Sequence, residues 1–236
     1  MTLEPLPALR RAGAVAIALL LALPSASAAH SPPFTRSFRI EDCTFSSQGR
    51  NPFFVLEPGY RLVLEGRDKG AALTVTITVL AEVETIDGIE TRVVEERETE
   101  DGALKEVSRN FFALCAPHNS VFYFGEEVDI YENGAVASHE GSWRAGVDGA
   151  LPGVMMPGIN LTGARYFQEI APGTAMDRAE VAALDRVMQT PAGTFSGVMK
   201  VIETSPLEPG HRSIKHYAPG IGLIADGKVR LSSVSP

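Results

Sequence analysis

Cysteine is scarce in this chain, with only Cys43 and Cys115 among 236 residues. So small a set excludes a disulfide-dense miniature scaffold and any four-cysteine metal centre. Tryptophan occurs once, at Trp143. Basic residues are in deficit, 21 against 29 acids for a net charge of −8, which argues against nucleic acid or an anionic membrane surface as a partner. Long apolar runs are missing too. The best candidate, Ala12 to Leu23, would span about 18 Å as a helix against a ~30 Å hydrocarbon core, so no permanent membrane span is predicted. Familiar enzyme signatures are absent. Gly193-Thr-Phe-Ser196-Gly197 places its serine one position late for a nucleophile elbow, and His139-Glu140 lacks the second histidine of a zinc protease. Gly220-Ile-Gly222-Leu-Ile-Ala225 runs into Asp226-Gly227, where a dinucleotide fold needs a helix.

What is present suits one globular domain. Hydrophobic residues make up 44% and charged residues 21%, enough to bury a core. Twenty-two glycines and 16 prolines favour many short elements joined by turns. Residues 1–28 have the order of a secretory signal peptide: Arg10-Arg11, the apolar run, then Ala26-Ser27-Ala28. A periplasmic or secreted bacterial protein is the expectation, and in that compartment Cys43 and Cys115 pair as a disulfide. The closed loop of about 72 residues would contribute about 4 kcal/mol. Cys115 and His118 form a C-x-x-H, but that pair supplies only two of the four ligands zinc usually takes, so no metal and no cofactor is predicted.

From Tyr60 onward the hydrophobic period is near two. Leu73, Val75, Ile77 and Val79 alternate with Thr74, Thr76 and Thr78, as a half-buried strand requires. Asp87-Gly88, Asp101-Gly102, Asn133-Gly134 and Asp226-Gly227 are hairpin signals. The expected architecture is mainly β: a long antiparallel meander curled into a barrel or half-barrel, with few or no helices. Residues 29–58 read as an irregular arm pinned by Cys43, and 59–236 as a single β domain. Within it, 145–163 reads as a Gly/Pro/Met-rich connector able to act as a loop or lid. Asp177 to Gln189 fits a helix or a strand.

The candidate site comes from charges on strands. Glu82 to Glu106 holds ten acids and three bases. If Val93 points inward, Glu95 and Arg97 follow it; if Val94 does, Glu96 and Glu98 follow, and ionised groups there need partners or water. Arg97 and Arg109 are the expected counter-ions. On the strand from Ser120 to Tyr131, Glu126 shares a face with Phe122 and Phe124 unless Gly125 forms a bulge. Without the bulge, Glu126 is a desolvated proton donor or ligand clamp; with it, a surface acid. His139 and Trp143 precede the connector and offer a proton carrier and a stacking surface. Asp129 to Glu140 imitates a calcium loop, yet Tyr131 replaces a ligand and the flanks read as strands, so an Asn-Gly hairpin explains it better.

Several segments resemble a set of exported bacterial proteins that carries no established activity: Asn51-Pro52-Phe53-Phe54 with Leu56-Glu57-Pro58-Gly59-Tyr60, Tyr123-Phe124-Gly125-Glu126, Glu140 to Gly146, Pro152 to Pro157, and Tyr217 to Gly222. The match runs through roughly 51–228. Thr190 to Phe195 more loosely resembles lipoprotein-carrier half-barrels, a likeness of shape only. The function expected is non-enzymatic binding of a small apolar or amphipathic molecule in the concavity, lined by Arg109, Glu126, His139 and Trp143, with Met155 and Met156 as a lid. The alternatives are metal binding through Glu126, Glu127, Asp129 and His139, and a hydrolase or lyase using Glu126 beside His139.

Overall fold

A computed structural model describes residues 33–236; the segment 1–28, read above as a signal peptide, lies outside the described residues. The arm holds three short strands, β1 (Phe45–Ser46), β2 (Gly49–Asn51) and β3 (Phe54–Leu56). The meander follows as β4 (Arg61–Asp68), β5 (Ala71–Ile86), β6 (Ile89–Glu100), β7 (Ala103–Cys115) and β8 (Ser120–Glu132). Then come β9 (Ala135–Ser138), β10 (Trp143–Arg144), β11 (Leu151–Met156), β12 (Arg165–Phe167) and β13 (Glu169–Ile170). The chain finishes with β14 (Arg178–Thr190), β15 (Gly193–Thr204), β16 (Ser213–Ala218), β17 (Gly222–Asp226) and β18 (Val229–Ser235). Among the described residues the only helical element is a 3-10 turn at Ile40–Asp42, and none is long and apolar enough to cross a membrane. The ambiguous 177–189 segment is strand, because its cross-strand partners on β15 supply the buried face.

One antiparallel sheet runs β12-β14-β15-β16-β17-β18-β4-β5-β6-β7-β8-β11-β13. Its first and last members, β12 and β13, are separated in sequence only by Gln168, so the sheet nearly closes into a barrel. The seam is tight. A Cβ on Gly153 would lie 2.4 Å from the backbone carbon and oxygen of Gln168, a packing that only glycine permits. Three of the four turn predictions hold in detail: Asp87, Asp101 and Asn133 each adopt positive φ ahead of a positive-φ glycine, as type I′ hairpins require. Asp226 instead ends β17 and pairs with Val229, so the fourth turn is Gly227-Lys228.

A bulge between Val79 and Val83 interrupts the β5–β6 ladder and frees carbonyls there. The buried Arg92 guanidinium answers them, donating to Ala81 O at 2.7 Å and to Ser47 O in the arm at 2.9 Å.

The arm is more ordered than an irregular tether. β1 pairs with β7, and Phe45 sets its ring against Phe122 at 5.5 Å and Phe124 at 5.3 Å. Cys43 and Cys115 form the expected disulfide. The 145–163 connector is also corrected: Leu151–Met156 is a strand hydrogen-bonded to β8 and β13, since a strand there satisfies backbone that a loop against the barrel would leave unpaired.

Candidate functional site

Inward side chains leave a cavity of about 260 Å³ inside the barrel. On β7, the wall changes from aromatic to acidic in steps of two residues, through Phe112, Asn110, Ser108 and Glu106. Val94 and Glu96 stand beside them on β6, in register with Asn110 and Ser108. Thus Val94 is the inward valine, and Glu96 follows it into the cavity. Phe54, Tyr60, Leu62 and Ile77 extend the apolar wall, and the arm supplies Phe54 through β3. The acidic wall gathers Glu96, Glu106, Glu126, Glu169 and Asp177, with Lys215 the one basic residue lining the cavity. Lys215 is already engaged, its Nζ 2.9 Å from Glu203 and 3.8 Å from Asp226.

Carboxyl groups gathered in this way resist ionisation. Burial pushes Glu96 up to about 8, against the pull of Lys215. Burial likewise raises Glu126 to about 7, resisted by the hydrogen bond from Tyr123. Glu169 is raised by burial and by the neighbouring Glu126 and Asp177 carboxylates. Burial also raises Glu106 and Asp177. Burial thus shifts every acid of the wall toward its protonated form, in which a carboxyl can both donate and accept hydrogen bonds.

The position of Glu126 joins both expectations in an unforeseen way. A bulge does occur: Phe111 pairs with Gly125 and Phe112 with Tyr123, leaving Phe124 extra. Gly125 has φ +147°, and a Cβ there would meet Trp143 O at 2.5 Å. Yet the bulge turns Glu126 inward, onto the cavity face of Tyr123. Phe122 and Phe124 face the arm, so the apolar side of β8 is not the barrel interior.

The other proposed lining residues divide. Met155 lines the cavity, whereas Met156 is packed in the core, 1% exposed; both are fixed in β11, and neither is a mobile lid. Trp143 lies behind the wall, stacked edge-on to Tyr123 at 5.4 Å, with Nε1 donating to Glu169 at 2.9 Å. Arg109 is corrected: it pairs across β7–β8 with Glu127 while its neighbour Asn110 pairs with Glu126, so it points outward, toward Glu95. Arg97 likewise answers Glu95 outside. His139 is corrected as well: it is exposed, held by Asp129 at 2.8 Å and by the Val128 carbonyl, and is not part of the cavity lining. Glu126, Glu127, Asp129 and His139 make no metal-ligand cluster among the described residues.

Sequence reasoning missed Glu169, Asp177, Lys215 and Tyr217, which reach the cavity from strands and turns far along the chain. Lys215, flanked by Ile214 and His216 on a strand, carried no local signal for its direction.

No protein-family model and no curated protein matches the chain. Among solved structures it is similar to a protein from Parabacteroides distasonis ATCC 8503, provisionally described as a lipoprotein, at 15% identity and a TM-score of 0.41. The match covers 80% of this chain and all of that one.

Proposed function

We propose that the protein is an exported binding protein that holds a small amphipathic molecule inside the barrel. The graded wall is the observation that carries this reading: aromatic and aliphatic at Phe54, Phe112 and Ile77, carboxylic at Glu96, Glu106 and Glu126. At about 260 Å³ the cavity sits just below the roughly 300–1,000 Å³ of most small-molecule sites, so the occupant is compact and is not a two-chain lipid. The leader-like segment 1–28 and the disulfide support export.

The polar wall also limits the ligand's head group. An anion there would face five acids, and the one basic residue of the lining, Lys215, is already paired with Glu203 and Asp226. A hydroxyl or an amine can instead hydrogen-bond to the carboxyl groups. Calorimetry with octanol, octylamine and octanoate tests this directly. The expected result is heat of binding for the alcohol or the amine and none for the carboxylate. Ser108→Phe, which fills the cavity from a buried lining position, should abolish that heat while the protein stays folded. No binding by any of the three, or binding unchanged in Ser108→Phe, would sink the reading.

A further inference from the structure

Outside the barrel cavity, one corner brings metal-binding atoms together. His118 Nε2 lies 3.1 Å from Cys115 Sγ and 3.5 Å from Cys43 Sγ. The three ligand atoms fall within 4.8 Å of one another, and no other such group occurs among the described residues. The C-x-x-H of the sequence shows only two of these ligands; the arm delivers the third. On its far side His118 Nδ1 is 3.0 Å from Ser120 Oγ, and Ser120 is fixed by accepting from the Gly158 N–H at 2.9 Å. Ser120 Oγ retains a lone pair for an Nδ1–H. With that proton in place, the Nε2 lone pair points at the sulfurs, the tautomer a metal needs. His118 is exposed and lines an open recess with Phe38 and Arg39, which leaves the corner an approach from solvent.

We propose that this corner is a redox-gated metal site: with the disulfide reduced, Cys43, Cys115 and His118 bind a thiophilic d10 cation, zinc(II) in the test below. A dithiol reductant supplies two electrons and two protons. The Cys43–Cys115 bond breaks, both sulfurs become thiols, and the reductant closes its own disulfide. Zinc binding then releases both thiol protons to solvent, and His118 adds its Nε2 lone pair, leaving a fourth position for water. Tetrahedral zinc with two thiolates needs the sulfurs to part to about 3.7 Å, with Nε2 at about 3.6 Å from each. The imidazole already stands close to that position.

The site does not depend on the disulfide to hold its cysteines together. Phe45 pairs with Cys115 and Ser46 with Leu114, and Ala116 N donates to Thr44 O at 2.9 Å. Phe38 and Phe45 anchor the same arm on Phe122. Breaking one bond therefore leaves both thiols on a frame fixed by backbone pairing and ring packing.

The test uses mature protein reduced by a phosphine under argon, freed of reductant, and titrated with zinc(II) against a chromophoric chelator, beside an oxidised sample. Expected are one zinc per reduced chain and no competitive binding by the oxidised protein. His118→Ala should weaken binding at least tenfold, and Ser120→Ala about 10–100-fold through the lost orientation of the ring. The far-UV circular dichroism of each sample is recorded alongside. Equal zinc uptake in both redox states, or unaltered affinity in His118→Ala, overturns the proposal. Loss of the β signature on reduction also overturns it, because the frame would then have failed.

Discussion

Trp143 donates its indole N–H to the Glu169 carboxyl group at 2.9 Å, so the one tryptophan of the chain is tied to the acidic wall of the cavity. Both residues are buried, and Glu169 keeps a neutral carboxyl more readily than a solvated acid because burial and Glu126 raise its pKa. Trp143→Phe keeps most of the packing against Tyr123 and removes the donor. The expected cost is about 2–3 kcal/mol, set by a buried acid left short of a partner. Urea unfolding followed by circular dichroism measures it. A loss under about 0.5 kcal/mol would mean that Glu169 finds another donor.

The raised carboxyls predict an inverted pH dependence. Glu96 at about 8 and Glu126 at about 7 exceed the ordinary 4.5, so the folded state binds more protons than the unfolded chain between those values. Stability from these groups is fully present below about pH 4.5 and declines as pH rises through 7 and 8. Glu96→Gln removes one such group without removing its bulk. The variant should match the parent near pH 4.5 and exceed it at pH 8.5, and urea midpoints across that range decide the matter. A parent whose stability rises from pH 5 to 8 contradicts the assignment.

These acids mark how far the sequence could be read. Alternation of Leu73, Val75, Ile77 and Val79 with threonines is a local property of strand geometry, and it placed β5 correctly. The Asp-Gly and Asn-Gly turns did the same for the hairpins. The rule that Glu96 follows Val94 was equally local, and only the choice of face was missing. That choice depends on closure of the sheet, which is a non-local event. For β8 the local signal pointed the wrong way: Phe122 and Phe124 are apolar because the arm covers them, and periodicity cannot distinguish an arm from a core. Glu169, Asp177 and Lys215 line one cavity from β13, from the residue before β14 and from β16, so no spacing in the chain announces them. The disulfide was legible because two cysteines leave only one pairing within the chain.

Seam closure makes its own prediction. Gly153 on β11 lets the Phe167–Gln168 backbone approach, and Gln168 then donates to Glu203 at 2.9 Å. An alanine methyl would sit at 2.4 Å from rigid backbone atoms, with no flexible side chain to yield. Gly153→Ala should cost about 3 kcal/mol, at the upper end for overpacking, and should loosen the β11–β13 pairing. Hydrogen exchange at Leu151 and Ile170, which pair across β11 and β13, would report the loosening. Unchanged protection together with an unchanged melting temperature would show that the seam has slack.

The arm should prove structural in its own right, apart from its covalent tie. Phe45 makes edge contacts with Phe122 and Phe124, and those two rings are only 1% exposed with the arm in place. Phe45→Ala leaves the disulfide intact but uncovers the outer face of β8 beside the Gly125 bulge. The expected loss is about 3 kcal/mol, within the range for truncating a packed phenylalanine. Replacing both cysteines by serine removes the cross-link and keeps the rings, at about 4 kcal/mol by loop entropy. The two losses act through different states: uncovered apolar surface in the folded protein for Phe45→Ala, and a freer unfolded chain for the double serine variant. Phe45→Ala should therefore increase binding of an apolar dye to the folded protein, whereas the serine variant should lower the urea midpoint without that signal. Dye binding by the serine variant at the level of Phe45→Ala would mean that the disulfide, not the aromatic packing, holds the arm in place.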